Sequence, residues 1–317
     1  MRRLAAFVTA VVGIAVAVPE VATSDVVIDQ DTTIDYSEDS LVRVIDGVDP
    51  PTRVDVVAGG TLRYLQAEDS SVVSVDGGLV SNSSLDTPGI TALGSSTVNV
   101  SLGGVDCEEH GIHAFDTSTV NVTGGTVEVI EHIAIVAFGH SEVNVTGGLI
   151  RSRDSQGIAA RDFSIVNVSG GIFDTDNESV LAEDSSTVSI SAGEFNQLVG
   201  ASGTSVLNVT GGTIGSLEPS GQGIYAEGSA MVNVSGGSLR GELIAAGSST
   251  LTIIGYDLDL TDEWLTGRLA DGTPLAHQAV TIDGGQFVLQ NVPEPSVIVL
   301  ALTGILAAGL TWRRRRP

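Results

Sequence analysis

Val120-Asn121-Val122-Thr123-Gly124-Gly125 is the stretch that decides the fold, because copies of it recur through most of the chain. A copy has two aliphatic residues around an asparagine or serine and usually ends in a glycine pair. From Asn99 onward the central position returns after 22, 23, 23, 22, 19 and 25 residues. A period of this size indicates a repeat architecture. Further copies start at Val98, Val143, Val166, Val188, Leu207 and Val232, with weaker ones at Val73 and Val280.

A second element fixes the register of the repeat. It is a triplet of an aliphatic residue, any residue and an alanine, and the alanine lies seven residues before the central Asn or Ser. The variation in repeat length therefore falls between the glycine pair and the next triplet, where we expect loops. At Ala246 the spacing slips by one residue, which predicts that the regular part ends nearby. The eight regular alanines are Ala67, Ala92, Ala114, Ala137, Ala160, Ala182, Ala201 and Ala226.

The period inside each copy predicts strands and not helices. Val-Asn-Val alternates every two residues, β-branched residues dominate, and a glycine pair would break a helix. About 22 residues for each turn then favour an all-β fold, a right-handed parallel β-helix of about nine to ten turns over residues 25–255. The stricter hexapeptide period of left-handed forms is absent.

Composition restricts the partners and the means of stabilisation. Residues 25–292 hold about 37 carboxylates and 8 arginines, and the chain has no lysine, so the net charge of this part is about −29. Such a charge repels nucleic acid and suits divalent cations or high salt. Cys107 is the sole cysteine, which excludes an internal disulfide. Stability must therefore come from stacking of the turns.

The central asparagines form a candidate structural feature. If the flanking valines point inward, the amides point outward and stack along the axis, as in other cross-strand assemblies. The alternative is glycosylation, because every one of these asparagines lies in an Asn-x-Ser/Thr sequence, although the repeat produces that sequence automatically. The predicted ladder comprises Asn99, Asn121, Asn144, Asn167, Asn208 and Asn233.

The densest polar cluster is a candidate metal site. Asp106-Cys107-Glu108-Glu109-His110 precedes His113, and Glu131-His132 follows about one turn later. Stacking of adjacent turns would bring these groups to the same side of the solenoid. The weak candidate ligands are Glu109, His110, Glu131 and His132, for zinc or calcium, and the alternative is a solvated acidic loop. No other cofactor is expected.

A polysaccharide-active enzyme, a lyase or glycoside hydrolase, is the principal alternative to a structural protein. Some right-handed β-helices carry such sites in a groove along one face, with carboxylates and a base. The only basic cluster here is Arg151, Arg153 and Arg161, beside Asp154 and Asp162. Regular repeats leave no turn that stands out as catalytic, so we expect no enzyme activity.

Both ends of the chain have the pattern of targeting segments. Arg2 and Arg3 precede the apolar stretch 4–18 and small residues at 22–24, as in a secretory signal peptide over 1–24. At the other end, a Pro-Glu-Pro element is followed by the 16-residue uncharged run 297–312 and a basic tail. The elements at this end are Val292, Pro293, Glu294, Pro295 and Ser296, then Arg313, Arg314, Arg315 and Arg316.

This three-part tail, over 292–317, resembles the bacterial PEP-CTERM sorting signal, which an exosortase-type membrane transpeptidase recognises and cleaves. The resemblance covers the tail alone. It implies export by the secretion machinery, an inner-membrane intermediate held by a C-terminal transmembrane helix, and then release or attachment at the cell surface or extracellular matrix. The alternative is an ordinary single-span anchor.

The segment 256–291 departs from the repeat and contains Trp264. A solenoid needs a cover on its last turn, so this segment is expected to be a cap with Trp264 over that turn. Taken together, the sequence favours an exported, non-enzymatic structural or adhesive protein that contacts exopolysaccharide or envelope components. The alternatives are the polysaccharide-active enzyme and a module that binds its partner through divalent cations.

Overall fold

The structure is a computed structural model that describes residues 2–3, 25–48, 51–84, 87–216 and 221–293. Over these residues every regular element is a strand, and the chain forms a parallel β-solenoid of about nine turns. The predicted all-β solenoid is therefore confirmed. In the same ranges no helix is long and apolar enough to cross a membrane.

The strands follow one another without any other regular element between them. Their bounds are β1 Arg2–Arg3, β2 Val26–Ile28, β3 Thr32–Ile34, β4 Ser37–Val44, β5 Arg53–Val57, β6 Thr61–Ala67, β7 Val72–Asp76, β8 Leu79–Asn82, β9 Ile90–Ala92, β10 Thr97–Val100, β11 Gly104–Cys107, β12 Ile112–Ala114, β13 Thr119–Val122, β14 Thr126–Val129, β15 Ile135–Ala137, β16 Glu142–Val145, β17 Leu149–Ser152, β18 Ile158–Ala160, β19 Ile165–Thr175, β20 Val180–Ala182, β21 Thr187–Phe195, β22 Val199–Ala201, β23 Val206–Ile214, β24 Gln222–Ala226, β25 Met231–Leu239, β26 Glu242–Ala246, β27 Thr250–Thr261, β28 Trp264–Leu269, β29 Pro274–Ile282 and β30 Gln286–Asn291.

Three rows of parallel strands run along the axis. The alanine row holds the triplets, for example β12, β15 and β18. The asparagine row holds the Val-Asn-Val strands, for example β10, β13 and β16. The third row follows the glycine pairs, and its members include β11, β14 and β17. Equivalent residues of successive turns are paired, so Val122, Val145 and Val168 lie in one file.

The core lies inside these three rows. In each Val-Asn-Val strand both valines are buried, and the aliphatic residue and alanine of each triplet join them. The third row adds Val127, Ile150 and Phe173, and the buried side chains form one continuous cluster along the solenoid. Alternation of buried and half-exposed residues along each short strand is what the period of two dictates. Hydrophobic burial of this kind stabilises the chain by about 25 cal/mol for each Å² of apolar surface.

The corner after the alanine row has the same conformation in successive turns. The second residue after the alanine has a positive φ, as at Asp116 (φ 58°) and Gly139 (φ 65°). Both Asp and Gly tolerate this conformation. The carboxylate of Asp116 accepts a hydrogen bond from the backbone N–H of Gly94 at 3.0 Å. Two residues further on lies a buried serine in most turns: Ser71, Ser96, Ser118, Ser141, Ser164, Ser186, Ser205 and Ser249.

The C-terminal segment both folds back and continues the solenoid. Strand β28 pairs antiparallel with β27 and β29, and β29 and β30 then pair in parallel with β26 and β27. Leu265 and Leu269 are fully buried, whereas Trp264 is 50% exposed. The leucines therefore pack against the core in the role expected for Trp264, because the indole lies on the outer side of this small sheet.

Two details of register differ from the sequence-based expectation. Ala245, and not Ala246, pairs with Ala226, and it lies seven residues before Thr252, so the register does not slip there. The weak copy at Val280 extends the alanine row and not the asparagine row, because Val280 pairs with Ile244. Alternation of apolar residues does not by itself say to which row a strand belongs.

The targeting segments fall mostly outside the described residues. Arg2 and Arg3 form a two-residue strand paired with Val26 and Val27, whereas residues 4–24 of the predicted signal peptide are not described. Val292 donates a backbone hydrogen bond to Gly255 at 2.6 Å. Residues 294–317, which include the rest of the predicted sorting motif, lie outside the described part.

Candidate functional site

The structure brings Glu109, His110 and His132 together on the outside of two adjacent turns. These residues lie in the loops that lead from the third row to the alanine row. Backbone hydrogen bonds hold the two loops in register, from Glu131 N–H to the carbonyl of Glu108 at 2.8 Å and from Ile112 N–H to that of Ala134 at 2.9 Å. The two turns have the same number of residues between the asparagine row and these loops, so His132 lies over His110.

Distances within this cluster are short enough for a shared ligand. One ligand atom from each of the three side chains lies within 4.8 Å of the others. The Nε2 atom of His132 is 4.0 Å from a carboxylate oxygen of Glu109, and the rings of His110 and His132 stack with centroids 4.8 Å apart. Two imidazoles and a carboxylate are a ligand set typical of zinc.

The burial of the three groups is graded. Glu109 is 7% exposed, His110 is half-buried and His132 is exposed. Glu131, the fourth candidate from the sequence, is exposed and does not belong to the group. Its neighbour His132 is exposed as well, but its ring stacks on that of His110 and so joins the group.

His113 adjoins the cluster, with its ring centroid 4.7 Å from that of His110. Burial is the main cause that lowers the pKa of His113 to about 4, and the neighbouring His110 and Arg161 lower it further. The His113 imidazole is therefore neutral at pH 7. It packs edge-on against Phe115 and Phe138, whose rings stack at 4.9 Å with an angle of 5°.

This aromatic stack is a feature that the repeat pattern of Val, Asn and Ala does not itself reveal. Phe115 and Phe138 each follow the alanine of a triplet, so the register that aligned the triplets also aligned them. The same holds inside the solenoid for Phe173 and Phe195, whose rings stack at 4.5 Å. Counting each aromatic from its triplet would have predicted both pairs.

The asparagines of the repeat lie in one row on the outside and are linked by side-chain hydrogen bonds. Each amide nitrogen donates to the amide oxygen of the preceding turn, from Asn121 to Asn99 at 2.9 Å, from Asn144 to Asn121 at 3.1 Å and from Asn167 to Asn144 at 3.0 Å. Ser189 interrupts the ladder, which resumes between Asn233 and Asn208 at 2.9 Å. The row is half-exposed, which is compatible with a structural role.

Replacing Asn144 with alanine is expected to lower the free energy of unfolding by about 1–2 kcal/mol, because it removes one donated and one accepted hydrogen bond. Urea unfolding followed by circular dichroism measures this difference. Asn99→Ala is the matched control at the start of the ladder, where one such bond is lost. A cost at Asn144 no larger than at Asn99 would contradict additive stabilisation by the ladder.

The arginines considered for catalysis form ion pairs between turns. Arg151 contacts Glu128 at 3.5 Å and Asp174 at 2.9 Å. Arg161 contacts Glu183 at 2.7 Å. Asp154 and Asp162, the expected neighbours of this basic cluster, do not take part in these pairs. The arrangement therefore corresponds to cross-strand charge pairing on the surface.

Comparison of the chain with models of known protein families, with curated proteins and with solved structures gives no significant match.

Proposed function

We propose that the chain is an exported, non-enzymatic structural or adhesive protein of a bacterial cell surface or extracellular matrix. The observation that carries this proposal is the pairing of equivalent residues on successive turns over about nine turns, with bulges at only some of the pairings. Such a rod presents a repeated outer surface over most of its described turns. Its strong negative charge keeps copies apart in solution and suits contact with cations or neutral polymers.

Sorting is the second part of the proposal. A PEP-CTERM-like tail and an exosortase-type transpeptidase would move the protein through an inner-membrane intermediate to its final place. A signal-peptide helix over 1–24, a transmembrane helix within 292–317 and a right-handed winding of the solenoid belong to the same proposal. Contacts with exopolysaccharide or envelope components would follow export.

The test compares the full chain with a variant in which Pro293, Glu294 and Pro295 are replaced by alanine. Because the apolar run and the arginines remain, the variant is expected to stay in the membrane fraction at full mass, while the parent chain is shortened and leaves that fraction. A matched control replaces Val297, Ile298 and Val299 with leucine, which keeps the hydrophobicity, and it should be processed normally. Equal mass and location for the parent and the alanine variant would refute the sorting proposal.

The absence of enzyme activity is tested separately. The full chain is incubated with acidic and neutral polysaccharides, and new reducing ends and unsaturated sugar products are measured. We expect no turnover. Turnover that is abolished by Arg151→Ala would favour the polysaccharide-active alternative.

A further inference from the structure

We propose that Glu109, His110 and His132 bind one zinc ion that joins two adjacent turns of the solenoid. The proposal goes beyond the structural function above and does not depend on it. Three protein ligands leave a fourth position of a tetrahedral zinc ion for water or for an oxygen ligand of a partner. The site would then be both a link between turns and an exposed point of attachment.

The ligand chemistry selects the metal. Two imidazoles and one carboxylate suit zinc and the later first-row metals. Calcium and magnesium prefer sites made of oxygen ligands alone, with six or more of them for calcium. The calcium considered from the sequence therefore fits this cluster poorly.

To bind one ion, the ligand atoms must approach one another by up to about 1.5 Å, and the stacked rings of His110 and His132 must turn toward a common centre. Zinc bonds of about 2.0–2.1 Å place tetrahedral ligand atoms roughly 3.3 Å apart. The separation of 4.0 Å between His132 and Glu109 is thus close to the bound value. The side chain of His132 is 51% exposed and can turn toward the other two without disturbing the core.

The electrostatic environment of the site favours a cation. Glu109 is the only acidic residue among those the structure describes that is buried. A carboxylate held away from water gains more from a nearby positive ion than an exposed one does, because the local dielectric constant is lower. The backbone hydrogen bonds between the two loops fix the main chain at Glu109 and His132. Binding of the ion therefore has to order only the side chains.

The experiment titrates zinc chloride into the full chain after removal of metal with a chelator. Isothermal titration calorimetry is expected to give one saturable site for each chain, and thermal unfolding should shift to higher temperature in zinc by mass action. Substitution with Co²⁺ should give the intense visible absorption of a tetrahedral site. Calcium chloride at the same concentration should reproduce none of these three signals.

Variants separate this site from diffuse binding to the many carboxylates. His132→Ala is expected to weaken zinc binding by at least about tenfold, because it removes a direct ligand. Replacing a residue that only orients a metal ligand already lowers metal affinity by about 10–100-fold. Glu109→Gln should weaken binding as well. His140→Ala is the matched control, because His140 is also an exposed histidine, lies on a nearby corner and is outside the cluster.

Circular dichroism checks that each variant is folded, and the exposure of His132 makes unfolding by its replacement unexpected. Saturable binding lost in His132→Ala and kept in His140→Ala supports the site. The proposal is overturned if zinc gives no saturable heat up to millimolar concentration. It is equally overturned if His132→Ala and His140→Ala bind alike, or if cobalt gives only the weak bands of an octahedral ion.

Discussion

Replacing Phe173 with alanine is expected to lower the free energy of unfolding by about 3–5 kcal/mol, the usual cost of removing a buried phenylalanine. Phe173 is 1% exposed and stacks on Phe195 inside the third row. Its neighbour on the preceding turn is Ile150, which is fully buried. Because each short strand is fixed by pairing on both sides, the turn has little freedom to collapse into the space that the ring leaves.

The matched control is Phe163→Ala. Phe163 is 61% exposed and directly follows Asp162, the positive-φ residue of its corner. Its ring is tilted against that of His140. A change of about 0.5 kcal/mol or less is expected there, as for most surface substitutions. Urea unfolding monitored by circular dichroism measures both variants, with the slope of the transition as a check on cooperativity. Similar losses for Phe173→Ala and Phe163→Ala would mean that the stacked rings do not form the core assigned to them.

The spacing of the repeat predicted most of the fold. Seven residues between each alanine and the next Asn or Ser position were enough to align Ala114 with Ala137 and Asn121 with Asn144, as the pairing has them. The reason is geometric: a parallel solenoid repeats its register at every turn, so one correct pairing fixes the others. Loop lengths between the locked segments had no influence on this alignment.

What could not be predicted depends on which way a side chain turns at a corner. Glu131 and His132 are adjacent in the sequence, and only His132 reaches the cluster with Glu109 and His110. Corner residues do not follow the period of two, so alternation along the chain cannot decide which of the two neighbours joins the cluster. The C-terminal end shows the same limit, since the antiparallel return of β28 is determined by packing of Leu265 and Leu269 and not by the repeat.

Replacing Gly148 with valine is expected to lower the free energy of unfolding by roughly 3 kcal/mol or more. Gly148 has a φ of +86°, a conformation that β-branched residues rarely adopt. A Cβ atom at this position would also lie 2.8 Å from the carbonyl oxygen of Gly124 on the preceding turn. Backbone strain and a contact with fixed backbone therefore add, and a shift of the corner would break the pairing of β16 or β17.

Gly104→Val is the matched control for this substitution. Gly104 lies in the third row between Leu79 and Thr126, has no positive φ, and a Cβ atom there would meet the side chain of Leu79 at 3.2 Å. We expect a change within about 1 kcal/mol, because a flexible leucine can move and valine suits a strand. Hydrogen exchange of the amides in β16 and β17 localises the effect of Gly148→Val. Equal stability of Gly148→Val and Gly104→Val would contradict the backbone strain and the close contact assigned to Gly148.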